Sequence, residues 1–255
     1  WNLSLVMSSL LPFMRYSTPE EMAFYLRSPL CRNITPKENL VPGDLGAIRS
    51  MNDGSISEEH GFIFISEDLA YSKSGPGVLQ PYALQSLSEV YEKYHLSKQK
   101  ECQSDQTNDN TNCKTTVSFF RCQSFDQYLK DSENIPPEIT TTLNYFFSFE
   151  GCLENRILQG GPISALAKKN IINIANGLNY YVQEELKKNH QTTTKQNKNN
   201  GANEKKTFFL GALVLRLRAL VAQLNLMEEE QLADDLMPLA EAAKKSFQEL
   251  TKAKK

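Results

Sequence analysis

His60 is the residue in this chain best placed to do chemistry. It is the first residue of the largely apolar run HGFIFI, which predicts a core strand that begins with a histidine. A histidine in that place can act as a general base, which takes a proton from a nucleophile during catalysis. The alternative is a histidine that only packs at the end of a strand. Function therefore depends on which residue, if any, is the nucleophile that His60 serves.

Two further segments must position His60. The sequence LVPGDLGAIR at residues 40–49 predicts a tight turn that leads into an apolar strand, because proline, glycine and aspartate favour turns. Another strand is predicted at Leu69–Ser72, after the short turn that follows the histidine strand. His60 therefore belongs to the middle of an antiparallel meander.

Composition excludes several functional classes. The chain has 255 residues and a formal net charge of −2, which argues against broad electrostatic binding of nucleic acid. Its five cysteines form no CxxC pair and it has three histidines, so neither a metal site nor another cofactor is expected. The run Phe208–Met227 is strongly apolar, but Arg216 and Arg218 interrupt it. It predicts a buried amphipathic helix and no transmembrane segment.

The first part of the chain, residues 1–135, predicts one α+β domain. A first helix is predicted over residues 1–15, ending near Pro12. A second is predicted from Thr18, its N-cap, to about Arg27. Four strands follow, with a short helix at Ser86–Tyr94, and this order of helices and then a meander indicates an α+β fold. The predicted strands are Asp44–Arg49, Gly61–Ser66, Leu69–Ser72 and Val117–Arg121.

The second part, residues 136–255, predicts a helical extension. The polar tract His190–Lys206 predicts a mobile loop within it, and Pro238 is predicted to break the last segment or to open its final helix. The extension is interpreted as structural support, with docking of a protein partner or of the cell wall as the alternative. The predicted helical segments are Thr140–Asn155, Ile163–Lys188 and Phe208–Lys255.

The cysteines bear on the cellular compartment. Cys102 and Cys113 bracket a polar loop, and a disulfide between them would fit an exported protein. The alternative is a pair of free thiols. Cys122 and Cys152 flank apolar sequence and are predicted to be small buried side chains.

The order of the helix, the turn, the histidine strand and the next strand resembles the NlpC/P60 family of papain-like cysteine peptidases over about residues 1–125. The resemblance implies a papain-like NlpC/P60 fold with a cysteine thiolate at the N-terminus of the first helix. That thiolate would attack an amide, typically one next to a D-amino acid in a peptidoglycan stem peptide. The matching segments are LVPGDL at residues 40–45, HGFIFI at 60–65, GV at 77–78, LQSLSEVY at 84–91 and VSFFR at 117–121.

The resemblance also implies site residues. His60 matches the family's catalytic histidine. A third polar residue, which orients the imidazole in that family, should fall in Leu69–Ser72, where this chain has Tyr71 or Ser72. Tyr71 could accept a hydrogen bond from the imidazole, or it could pack in the core. The family often has histidine, asparagine or glutamine at this position, so the chain departs from the pattern here.

The nucleophile is a larger departure from the family. The helix that should carry it, Asn2–Leu11, contains no cysteine, and Ser4 is the one nucleophilic residue type near the right place. The expected position lies at or just before Trp1, so the domain is predicted to be incomplete at its N-terminus. Cys31, in a predicted loop, is the alternative nucleophile because it precedes His60 in the sequence.

These features predict an exported bacterial hydrolase, periplasmic or extracellular, that cleaves peptidoglycan stem peptides by a cysteine–histidine mechanism. One alternative is a catalytically inactive binding module on the same fold. A further alternative is a papain-like acyltransferase or lipid hydrolase.

Overall fold

The computed structural model describes residues 2–52, 55–73, 81–94, 96, 115–132, 135–192 and 200–252. The chain divides into two compact units, Trp1–Leu129 and Lys130–Lys255, whereas the sequence predicts the boundary between residues 135 and 136. The strands of the described residues all lie in the first unit, and the second unit is helical.

The first unit is built on a six-stranded sheet in which every neighbouring pair of strands is antiparallel. The order of strands across the sheet is β1-β6-β2-β3-β4-β5, so the histidine strand β3 lies well inside the sheet. The α+β class is confirmed at this level. The strands are β1 Cys31–Asn33, β2 Leu45–Asn52, β3 Ser55–Ser66, β4 Leu69–Lys73, β5 Tyr82–Ser86 and β6 Thr115–Cys122.

The helices of this unit follow the sequence pattern only in part. Thr18 caps the second helix by accepting a hydrogen bond from the Glu21 amide at 3.1 Å, as predicted. The predicted helix over residues 1–15 is wrong beyond Met7, because Ser9 turns the chain with a positive φ of 57°. The helices are α1 Asn2–Met7, α2 Pro19–Leu26, α3 Leu87–Lys93 and α4 Phe125–Lys130, which runs across the unit boundary.

One face of the sheet is covered by α3. The buried side chains on this face form a single cluster in which Phe62 is fully enclosed. Gly46 on β2 makes this packing possible, since a Cβ atom there would lie 2.1 Å from the Phe62 ring. The cluster comprises Ile48, Phe62, Phe64, Ala70, Leu87, Val90 and Leu96.

Residues that alternate with this cluster point to the other face of the sheet, where they are also buried. Helices α1 and α2 pack against β3, and their side chains do not belong to the α3 cluster. The sheet is therefore buried on both sides along its central strands. The buried residues of the second face include Leu45, Ala47, Ile63 and Phe120.

The second unit consists of four long helices among the described residues. The prediction of a loop over His190–Lys206 is wrong at both ends, and residues 193–199 lie outside the described residues. Lys206, the last residue of that tract, lies in a helix and forms an ion pair with Glu185 of the preceding helix. The helices are α5 Pro137–Gln159, α6 Ala165–Thr192, α7 Asn200–Leu226 and α8 Glu230–Lys252.

The break between the last two helices falls earlier than predicted. The chain turns at Glu228, which has a positive φ of 60°, and Pro238 lies inside α8. Among the described residues one segment, Glu204–Leu226 of α7, is long and apolar enough to cross a membrane, but 78% of its most apolar window is buried within the protein. Length and composition are weak support for a membrane span, because the core helix of a soluble protein meets the same criteria.

Candidate functional site

His60 lies on the sheet face that α3 covers. The side chains of a strand alternate between the two faces, so His60 shares its face with Phe62. Only 5% of His60 is exposed, and its ring stacks on Tyr94 with the two ring centroids 4.6 Å apart and an interplanar angle of 18°. The histidine predicted to be the base is thus held rigidly, with an aromatic ring against one side.

This environment makes the His60 imidazole neutral at neutral pH. Burial lowers its pKa to about 4, and the positive charge of Lys93 acts in the same direction. A neutral imidazole can accept a proton, as a general base must. A thiolate beside the ring would favour the imidazolium form and raise the pKa again, because opposite charges stabilise each other.

The structure does not bring Tyr71 to His60. Tyr71 lies directly opposite Ile63 in the β3–β4 pairing, so alternation places its side chain on the other face of the sheet from His60. On that face burial raises the pKa of Tyr82, and the nearby Tyr71 phenol adds a smaller effect in the same direction. The interpretation of Tyr71 as the residue that orients the imidazole is therefore wrong.

Ser72 lies one residue further along β4 and hence on the same face as His60. Its side chain is fully buried, and its hydroxyl has no hydrogen-bond partner among the described residues. Of the two residues that the sequence offered for the third position, Ser72 is the one that shares a face with the histidine.

Cys31 is not available as a nucleophile in this structure. It lies on β1 directly opposite Cys122 of β6, and the two sulfur atoms form a disulfide across Cα atoms 4.1 Å apart. A disulfide carries no thiolate, so the interpretation of Cys31 as a nucleophile is corrected. The predicted loop at Cys31 is also wrong, because this segment pairs with β6 as an edge strand.

The remaining cysteines supply no described thiol in the first unit. Cys122 is in the disulfide and not a free buried thiol, and Cys152, in the second unit, is exposed and free, contrary to the prediction of burial. Cys102 and Cys113 lie outside the described residues, as does the bridge predicted between them. Ser4 is fully buried in α1, where a substrate could not reach its hydroxyl.

A largely buried ion pair on the sheet face opposite His60 was not predicted from the sequence. Arg49 donates to Glu58 at 2.9 Å, and its guanidinium lies over the Phe120 ring at 4.7 Å. A β-bulge after Ile48 makes this possible, because Ile48 pairs with His60 while the next residue, Arg49, pairs with Glu58. Glu58 therefore points to the face opposite His60, although the two residues are only two positions apart.

The Pro-Gly-Asp turn has a structural explanation. Gly43 has a φ of 98°, a conformation that residues with a side chain rarely adopt. The Asp44 carboxylate accepts two hydrogen bonds from Arg121, at 2.8 and 2.7 Å, and one from the Val41 amide at 2.8 Å. The motif fixes where β2 begins and ties it to β6.

The described residues contain no group of three or more histidine, cysteine or carboxylate side chains that could hold a metal ion. They do enclose a cavity of about 590 Å³ at the Phe64 end of β3, which is lined by residues other than His60. The cavity is therefore a feature separate from His60.

Comparison with known proteins gives no match. No family model fits the chain, and no curated protein and no solved structure is significantly similar to it. The resemblance to the NlpC/P60 family therefore rests on the quoted residues and their order alone.

Proposed function

We propose that this protein is an exported cysteine hydrolase of the NlpC/P60 type that cleaves peptidoglycan stem peptides, with its nucleophilic cysteine just upstream of Trp1. The observation that carries the proposal is the environment of His60. The one histidine that matches the family is held neutral on β3. Helix α1 packs against β3 and β4 on the face opposite His60, so in this proposal the residues upstream of Trp1 must bring the cysteine to the face that His60 occupies. The Cys31–Cys122 disulfide supports export to the periplasm or beyond, since such bonds persist in oxidising compartments.

In this proposal the reaction begins with proton transfer. His60 takes the thiol proton, and the thiolate attacks the carbonyl carbon of the scissile amide. The imidazolium then gives its proton to the departing amine, which leaves a thioester on the cysteine. Water, deprotonated by His60, hydrolyses the thioester and restores the free thiol. The burial of His60 keeps its imidazole neutral between turnovers, and the reaction needs no cofactor.

The proposal is tested with a chain that carries its natural upstream residues. We expect this chain to release fragments from purified stem peptides, measured by mass spectrometry. His60→Asn should lower the rate by about a hundredfold or more, the usual contribution of a general base. The matched control is His190→Asn, which alters a histidine of α6 in the other unit and should leave the rate unchanged. Thermal unfolding checks that both variants fold.

A thiol-directed reagent locates the nucleophile in the same chain. Iodoacetamide should modify one upstream cysteine rapidly at neutral pH, and His60→Asn should slow this modification. Full turnover by His60→Asn would falsify the role of the histidine. An upstream segment without cysteine would exclude the mechanism.

A catalytically inactive binding module is the second candidate. It is favoured by the oxidation of both described cysteines of the first unit and by the tight stacking of His60 on Tyr94. Such a module would bind stem peptides without releasing fragments, and His60→Asn would bind them as tightly as the wild type. A papain-like acyltransferase or lipid hydrolase stays a prediction, which an acyl ester offered in the same assay would test.

A further inference from the structure

The cavity at the far end of β3 forms a groove with an aromatic wall, which we call the Phe64 groove. Its volume of about 590 Å³ lies within the usual range for sites that bind small molecules or side chains. The Phe64 and Phe119 rings meet edge to face, with their centroids 6.2 Å apart. The apolar lining residues are Leu40, Phe64, Leu87, Tyr91 and Phe119.

The charge of the groove is of one sign. Its charged lining residues are Glu38, Glu67 and Asp68, and among the described residues that line it there is no lysine, arginine or histidine. Glu38 is paired with Arg32 at 2.6 Å. Glu67 and Asp68, in the turn between β3 and β4, have exposed side chains and form no ion pair with any other described residue. Two carboxylates are thus free to meet a cation at the mouth of an apolar groove.

The walls of the groove are held in place by contacts of their own. Arg121 donates to the Asn39 carbonyl oxygen at 3.1 Å, which anchors the loop on one side. On the other side, Ser86 and Glu89 form a capping box in which each side chain accepts a hydrogen bond from the other residue's backbone amide. A ligand would therefore enter a groove that is already formed, which reduces the entropic cost of binding.

We propose that the Phe64 groove binds a basic side chain of a peptide, with its ammonium or guanidinium group at Glu67 and Asp68 and its aliphatic stem on the aromatic wall. Long basic side chains combine an apolar stem with a charged end, which matches the two parts of the groove. Aromatic faces also attract cations. Asn39 and Ser88 add amide and hydroxyl groups to the lining, where a peptide backbone could bond. The inference is independent of the proposed hydrolase, because His60 does not line the groove.

The test is an NMR titration of the full chain with three N-acetylated amino acid methylamides: lysine, arginine and norleucine. The lysine or the arginine compound should shift the resonances of groove residues in a saturable way, and added salt should weaken this binding. Norleucine has an apolar stem without a charge, and it should bind more weakly than the lysine compound. Equal binding of norleucine and lysine would overturn the cationic part of the proposal.

Two double variants separate the groove from general charge effects. Glu67→Gln with Asp68→Asn should weaken binding of the lysine compound about fivefold, as expected for two solvent-exposed ion contacts. The control, Glu92→Gln with Asp234→Asn, makes the same two changes at exposed positions outside the groove and should leave binding unchanged. Equal weakening by both pairs, or no saturable shift at the groove with either basic compound, would reject the site.

A third variant tests the aromatic wall. Tyr91 is only partly buried, so Tyr91→Leu should keep the fold, which the NMR spectrum verifies. It should weaken binding of both basic compounds because it removes an aromatic face. Unchanged affinity for both in this variant would mean that the wall does not contact the ligand, contrary to the proposal.

Discussion

At the scale of single residues, His60 shows how one position can serve packing and chemistry together. Its ring fills a place on the sheet beneath Tyr94, where water is excluded. That exclusion disfavours the charged form and lowers the pKa to about 4. The histidine therefore contributes to stability as a neutral aromatic ring, whether or not a nucleophile is supplied.

The pKa of His60 predicts how stability depends on pH. The pKa is about 4 in the folded state and 6.5 in the unfolded state, so the unfolded chain binds the extra proton more readily. The contribution of His60 is fully present above pH 6.5 and is lost as the pH falls from 6.5 towards 4. This loss amounts to roughly 3 kcal/mol, since each pKa unit corresponds to about 1.4 kcal/mol.

Urea unfolding at a series of pH values measures this effect. Between pH 7 and pH 4 the free energy of unfolding of the wild type should fall more steeply than that of His60→Gln, which cannot titrate at this position. Parallel curves for the two proteins would contradict the lowered pKa. Direct titration of the His60 ring by NMR gives an independent value.

At the scale of elements, α7 shows how a helix with charged residues becomes the core of its unit. Arg216 is fully buried and donates to the equally buried Glu150 of α5 at 2.7 Å. Its guanidinium also lies over the Phe147 ring, 4.8 Å from the centroid. The arginine that argues against a membrane span in the sequence is here a link between two helices, because a buried charge needs an opposite charge beside it.

Removing one partner of this ion pair should lower the free energy of unfolding more than removing both partners. Arg216→Leu leaves the Glu150 carboxylate buried beside an apolar side chain and should lower the free energy of unfolding by about 3–5 kcal/mol. Adding Glu150→Leu should recover most of the loss, because no buried charge then remains. Chemical denaturation of the three proteins measures both effects.

Arg218, two residues along the same helix, is the matched control. It is partly exposed and pairs with Glu241 at 3.3 Å, so Arg218→Leu should lower the free energy of unfolding by less than about 1 kcal/mol. A double variant at Glu150 and Arg216 that is as unstable as Arg216→Leu would show that the lost stability came from packing and not from the buried charge.

At the scale of the whole molecule, the chain has two units, and its described covalent cross-link lies inside one of them. The Cys31–Cys122 disulfide joins positions 91 residues apart within Trp1–Leu129. A cross-link of this kind restricts the unfolded chain, so it stabilises the unit that contains it. Its contribution is typically about 2–4 kcal/mol.

Reduction should therefore destabilise the first unit selectively. In hydrogen-exchange mass spectrometry, dithiothreitol or Cys31→Ser with Cys122→Ser should speed exchange in peptides from residues 1–129 more than in those from 130–255. Cys152→Ser, at the exposed free cysteine, is the control and should leave the exchange rates of both groups of peptides unchanged. Peptide mapping without reductant that links Cys31 to Cys102 or Cys113 would contradict the pairing.

Local signals in the sequence were sufficient to predict the class of the first unit and most of its central elements. Three of the four predicted strands lie entirely within observed strands, and the fourth, Asp44–Arg49, begins one residue before β2. Thr18 caps α2 as its residue type indicates. These features depend on short stretches of neighbouring residues. Examples are the turn that needs a glycine, Gly43, and the apolar run that begins at His60. The position of His60 inside the sheet follows from the same signals.

The sequence could not predict which residues meet across the fold. Three residues of β1 are too few to show a period, so the pairing of Cys31 with Cys122 appears only once the sheet is formed. The register of β4 decides that Ser72, and not Tyr71, shares a face with His60. These contacts arise between segments far apart in the chain, and the register, bulges and burial that create them depend on the whole sheet.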